Sequence, residues 1–125
     1  PISCVAGKAN LEALIEDGLI ENSYTLGKVL HNELNSIKDN YPDFIKYVFG
    51  NGLLAGVVFQ DNDGNPLSSL CDSISELAFQ RGLLVVHTGR ESIKLGPPLS
   101  ISHEGLMEGL AVFKECINDS IDRLG

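Results

Sequence analysis

Basic residues are scarce in this chain. Nine Lys and Arg stand against seventeen Asp and Glu, for a formal charge of −8. A nucleic-acid binder needs a concentrated basic surface, and here the few cations are scattered, so that class is excluded. No apolar run approaches the roughly 20 residues that a membrane-crossing helix requires. No basic segment followed by an apolar core opens the sequence, so this stretch is not expected to act as a secretory signal. Cys4, Cys71 and Cys116 are odd in number, widely spaced and without a CxxC pair. They read as reduced, mostly buried thiols of a cytoplasmic protein rather than as a disulfide frame or a catalytic cysteine. His31, His87 and His103 lack metal-ligand spacing, so no metal is expected. No Ser, His and Asp constellation suggests itself. The only methionine is Met107 and the chain begins at Pro1, so the sequence is expected to be a processed chain or a piece of a longer one.

What is present is an ordinary globular composition. The 125 residues are 43% hydrophobic and 21% charged, enough for one domain with a real core. The segment "ISCVAGKANLEALIEDGL" places Val5, Leu11, Leu14 and Ile15 among alanines, which predicts a helix, with Ser3 as a cap and Gly18 as a stop. Leu26, Val29, Leu30, Leu34 and Ile37 then recur at the steps of one helix face, closed by Asn40 and Pro42. "GNGLLAGVVFQ", between glycines and "DNDGN", predicts a strand and a turn. Leu70, Ile74, Leu77 and Ala78 return to helical steps between Pro66, placed in the first turn, and Gly82 at the end. "LLVVH" and "SIKL" predict two further strands. After Pro97 and Pro98, Ser102 is a helix cap and Glu104 suits the positive end of the helix dipole. The last helix steps through Leu106, Leu110, Phe113, Ile117, Ile121 and Leu124.

The order helix, helix, strand, helix, strand, strand, helix lacks regular strand–helix alternation. It predicts an α+β fold: a small, mainly antiparallel three-stranded sheet covered on one side by helices, with an N-terminal helical pair. No repeat or linker divides the chain, so residues 1–125 are expected to form one domain.

Few residues carry a chemical signal. Gly50, Gly52 and Gly56 resemble a dinucleotide fingerprint only superficially, because they precede a strand instead of following one. Their plainer reading is a tight turn and a strand glycine that permits close approach. "DNDGN" fails as a calcium loop, since the sixth residue from Asp61 is Pro66, not glycine. His31 and His103 are expected to be exposed. His87 ends a strand ahead of "TGRES", where either a site residue or a hydrogen-bonded structural histidine is at home. Lys94 is a lone cation in a short strand just before a stiff Pro-Pro corner. It is either a solvated edge charge or an anchor held ready for a carboxylate or phosphate.

Four stretches, in order, resemble the C-terminal small domain of class III aminotransferases, which are pyridoxal-phosphate enzymes of fold type I. They are "PISCVAGKANLEALIEDGLIEN", "GNGLLAGVVF", "LAFQRGLLVVHTGRESIKLGPPLSIS" and "EGLMEGLAVFKECI". The resemblance implies that residues 1–20 form a helix linking to a large domain of the same polypeptide. It implies that Lys94, His87 and Gly52 contribute to substrate binding. Lys94 stands where many members have an arginine that grips a substrate carboxylate, and Phe49 where the family often has an arginine before Gly-x-Gly. The resemblance further implies that the cofactor-bearing lysine and most cofactor ligands lie in the large domain. This chain would then hold no catalytic residue and be inactive alone. The parent would be a homodimer moving an amino group between an amino acid or amine and a keto acid or aldehyde. The alternative is a stand-alone metabolite-binding or dimerisation module.

Overall fold

The computed structural model describes residues 1–124. Helix α1 (Ile2–Glu16) and helix α2 (Leu19–Asn40) are separated by Gly18, whose φ of +63° suits a residue without a Cβ. Pro1, not Ser3, occupies the cap position of α1, and no side chain caps it. A hairpin follows, β1 (Ile45–Asn51) and β2 (Leu54–Phe59), then helix α3 (Ser68–Gln80). Strands β3 (Val86–His87) and β4 (Ser92–Leu95) precede the last helix, α4 (His103–Asp122).

The α+β class and the antiparallel sheet agree with the sequence, but the sheet has four strands, in the order β1-β2-β4-β3. The unforeseen strand is β1. Its register slips between Ile45 and Tyr47, and such a bulge breaks the alternation by which a strand is recognised. "GNGLLAGVVFQ" is accordingly not one strand: Gly50 and Asn51 finish β1, and Gly52 and Leu53 form the turn. Pro66 lies outside α3, bridging to Gln60, and the helix starts at Ser68.

Alternation divides the sheet into two faces. Val57 pairs with Ile93, and Ala55 with Leu95, and all four are buried. Helix α2 packs on β1 and β2, α3 lies against β2, β3 and β4, and α4 packs on α2 and α3. One core results, joining Leu30 and Leu34 of α2, Phe59 of β2, Ile74 of α3 and Phe113 and Ile117 of α4. Helix α4 fits its sequence pattern closely. The Ser102 side chain accepts a hydrogen bond from the Gly105 amide at 3.1 Å, and Glu104 sits in the first turn. Leu124, the end of the stripe, is exposed.

Helix α1 departs from expectation. It contributes no buried residue: Ile2 is 84% and Val5 68% exposed, and Leu11 and Ile15 are likewise open. It touches α2 and lies away from the sheet.

Candidate functional site: the open face of the sheet

The face turned away from the helices carries Phe49, Gly56, Lys94 and Val86 in one cross-strand row. The next row is Tyr47, Val58 and Ser92. Gly56 has a specific reason to be glycine. A Cβ there would lie 2.6 to 3.0 Å from the end of the Phe49 ring, so the ring lies over the backbone of β2 where a side chain would stand. Beside it is a cavity of about 230 Å³, walled by Phe49, Leu54, Gly56, Thr88, Ser92 and Lys94. No carboxylate lines this cavity, and among the described residues none lies within ion-pairing distance of the Lys94 ammonium.

The loop after β3 closes one side of the cavity, and short hydrogen bonds hold it. Thr88 and Ser92 join hydroxyl to hydroxyl at 2.6 Å, and the Thr88 amide donates to the Ser92 carbonyl at 3.0 Å. His87 pairs with Ile93 and so belongs to the helix face, opposite Lys94. Its Nδ1 is 2.8 Å from Asp72 Oδ1 on α3, and its Nε2 is 3.0 Å from the Arg90 carbonyl. Both partners are acceptors, so whichever ring nitrogen carries the proton has one of them to donate to. His87 thereby ties the loop to α3.

Gly52 stands at the hairpin turn, with φ +55°. A Cβ on Gly27 would meet the Gly52 Cα at 2.5 Å, so the turn rests directly on the backbone of α2. The Leu53 amide donates to Ser23 Oγ at 3.2 Å and fixes it there. Of the three residues singled out in the sequence, only Lys94 lines the cavity. The loop after His87 was expected near the rim, and its Thr88 lines the cavity; Ser92 and Asp72 were not foreseen. Asp72 is 15 residues from His87 and meets it only through packing of α3 on the sheet.

The two buried thiols are poor nucleophiles. Burial, reinforced by the negative charges of Asp72 and Glu91, pushes Cys71 up to about 12. Burial also raises Cys116. All three cysteines are free, though Cys4 is exposed rather than buried. His31, expected to be exposed, is half-buried, and its Nε2 is fully buried without a partner among the described residues. His103 is exposed as anticipated. "DNDGN" is a hydrogen-bonded turn in which Asp61 Oδ1 accepts from the Asp63 and Asn65 amides at 2.9 and 2.8 Å. Among the described residues no cluster of His, Cys, Asp or Glu is arranged to hold a metal. No described helix is long and apolar enough to cross a membrane.

An antiparallel sheet covered on one side, a Pro-Pro corner after the last strand and a long closing helix now have a family. The sequence model of the class III aminotransferases matches residues 1–117, and the chain belongs to that family. It is 34% identical over 124 residues to the mitochondrial ornithine aminotransferase of Arabidopsis thaliana, covering 98% of this chain and 24% of that protein. It is 31% identical to the mitochondrial acetylornithine aminotransferase of Candida glabrata, covering 95% of this chain and 26% of that protein. A solved acetylornithine aminotransferase from Elizabethkingia anophelis superposes with a TM-score of 0.85 at 28% identity, over 95% of this chain and 30% of that one. The chain thus spans about a quarter of the length of the curated relatives it matches.

Class III enzymes use pyridoxal phosphate. The covalent site of that cofactor needs a lysine together with a carboxylate for the pyridine nitrogen. Among the described residues Lys94 is the one lysine lining the cavity, and no carboxylate lines it. Lys46 is tied to the Pro42 carbonyl and to Asn62 Oδ1, both at 2.7 Å. These residues do not fit the cofactor, and no step of its chemistry is assigned to them.

Proposed function

We propose that residues 1–125 are the C-terminal small domain of a pyridoxal-phosphate-dependent class III aminotransferase. Helix α1, within residues 1–20, links it to a large cofactor-binding domain of the same polypeptide. The whole enzyme, a cytoplasmic homodimer in this reading, moves an amino group between an amino acid or amine and a keto acid or aldehyde. The small domain closes over the active site with the open face of its sheet inward. Closure excludes water and orients the substrate. Lys94 anchors the substrate anion as a point charge, without the two-pronged grip of an arginine. His87 and Gly52 serve the pocket at one remove, His87 by tying down the loop behind Thr88 and Gly52 by seating the hairpin that carries Phe49.

One observation carries this reading: Lys94, which has no carboxylate partner among the described residues, lines a mainly apolar cavity on the face that this chain leaves uncovered. The exposed apolar residues of α1 support it, because an uncovered apolar face of that kind marks a contact surface.

Replacing Lys94 tests the reading in the full-length enzyme. Lys94→Ala is expected to weaken anionic substrates about tenfold relative to neutral amines, the factor that about 1.4 kcal/mol gives. Equal losses on both kinds of substrate would remove Lys94 from the site. The 125-residue chain alone is expected neither to take up pyridoxal phosphate covalently, followed by absorbance and mass, nor to transfer amino groups.

A further inference from the structure

We propose that Phe49, laid over Gly56 beside Lys94, makes this site selective for a monocarboxylate that carries an apolar group, against an acid with a second charge. The inference rests on Lys94 being the anion anchor. Three features of the cavity point to it.

First, the cavity has one cation. Lys94 is the sole charged side chain among its lining residues, so a first carboxylate finds a partner there. A second carboxylate would lose its water without finding another cation in this wall, and an unpaired charge pays heavily for that loss.

Second, the neighbouring wall is aromatic and held in place. Phe49 and Lys94 both pair with Gly56, one on each side, so Gly56 is the only residue between them in the row. The absent side chain at Gly56 is what allows the ring to lie down over β2. Phe49 is 57% exposed, so the ring presents surface to whatever enters. Leu54 adds a second apolar wall.

Third, the remaining polar groups are already engaged. The hydroxyls of Thr88 and Ser92 bond to one another at 2.6 Å. They leave the apolar walls and one ammonium to set preference. An apolar group on Phe49 gains by burying both surfaces.

The test measures dissociation constants of 3-phenylpropionate and of glutarate for the full-length protein by calorimetry. Wild type is expected to bind 3-phenylpropionate at least tenfold more tightly. Phe49→Arg supplies a second cation and is expected to erase or reverse that preference. Phe49→Leu keeps an apolar wall and is expected to retain it. Gly56→Ala places a methyl where the ring lies, displaces the ring without disturbing backbone, and is expected to weaken 3-phenylpropionate while leaving glutarate unchanged. This last variant carries the test if Phe49→Arg does not fold. A wild-type protein without the preference overturns the proposal, as does a ratio unmoved by both Phe49→Arg and Gly56→Ala. Lys94→Ala separates the two levels. Should it leave both acids unaffected, the anchor reading fails with this one. Should it weaken both acids while the ratio stays fixed in the Phe49 and Gly56 variants, only the selectivity fails.

Discussion

The two faces of the sheet are built from alternate residues of the same strands, and their fates differ. On the helix face Ala55, Val57, Phe59, Ile93 and Leu95 are buried. On the other, Tyr47, Phe49 and Leu54 are large, apolar and exposed. Apolar character therefore does not decide burial here; what decides it is whether this chain supplies a cover. Helices α1 and α4 repeat the contrast. Both are rich in aliphatic residues, yet α4 buries Leu106, Leu110, Phe113 and Ile117 while α1 buries nothing. Under the proposed function the missing cover is the remainder of the enzyme, and the uncovered surfaces are where it closes.

The sharpest way to break this contrast is to cut one aromatic from each face. Phe59 is 0% exposed. Phe59→Ala leaves a core cavity and is expected to cost about 3–5 kcal/mol. Tyr47→Ser, on the open face, is expected to change the stability of the chain by less than about 0.5 kcal/mol. Denaturant titrations of the two variants give both numbers. Comparable losses would mean that the open face is as much a part of this chain's core as the helix face.

A smaller effect separates α2 from α1 by the same kind of substitution. Gly27 of α2 faces the hairpin backbone, and its added methyl would meet Gly52 at 2.5 Å. Backbone cannot step aside as a side chain can, so Gly27→Ala is expected to destabilise by about 1–3 kcal/mol. Around Gly7 of α1 nothing lies within 4 Å of an added Cβ. Gly7→Ala is therefore expected to stabilise, by up to about 1 kcal/mol, through helix propensity alone. Shifts of one sign in thermal unfolding would contradict the placement of one helix or the other.

How much of this was legible in the sequence depended on whether the deciding interaction was local. The last helix was readable because its stripe, its Ser102 cap and its Glu104 all act within a few residues. "SIKL" was readable because its boundaries at Ser92 and Leu95 are set by neighbours in the chain. Strand β1 was not, since the bulge beyond Ile45 disguises its period. The position of Lys94 opposite His87 was also out of reach. It depends on pairing Val86 with Lys94 and His87 with Ile93 across the loop, and no local pattern fixes that register. The exposure of Val5 and Ile15 could not be read either. A helical stripe says that a cover is wanted and not where the cover lies. At Gly56 the sequence did indicate close approach, but what approaches is the Phe49 ring rather than another backbone.

The smallest expected effect lies on the solvent side of α3 and α4, where Arg81 bonds to Asp119, with Glu115 nearby. The Arg81 hydrogen bond holds the Asp119 carboxyl below the usual carboxylate range, and partial burial opposes that shift only in part. A carboxyl whose folded value lies below its unfolded value contributes stability at any pH above the unfolded value. That contribution disappears as the pH falls through the ordinary carboxylate range and then through the lowered folded value. Asp119→Asn removes it at neutral pH and leaves less to lose in acid. The stability gap between wild type and variant is therefore expected to be widest near pH 7 and to narrow steadily below about pH 4, where the unfolded carboxylate protonates. The pair is substantially exposed, so the gap is expected to be modest and to shrink with added salt. Denaturation curves at several pH values and two salt concentrations measure both trends. A gap that stays constant from neutral to acid would mean that Asp119 helps α3 and α4 through its shape or its neutral hydrogen bonds, and that its charge contributes nothing.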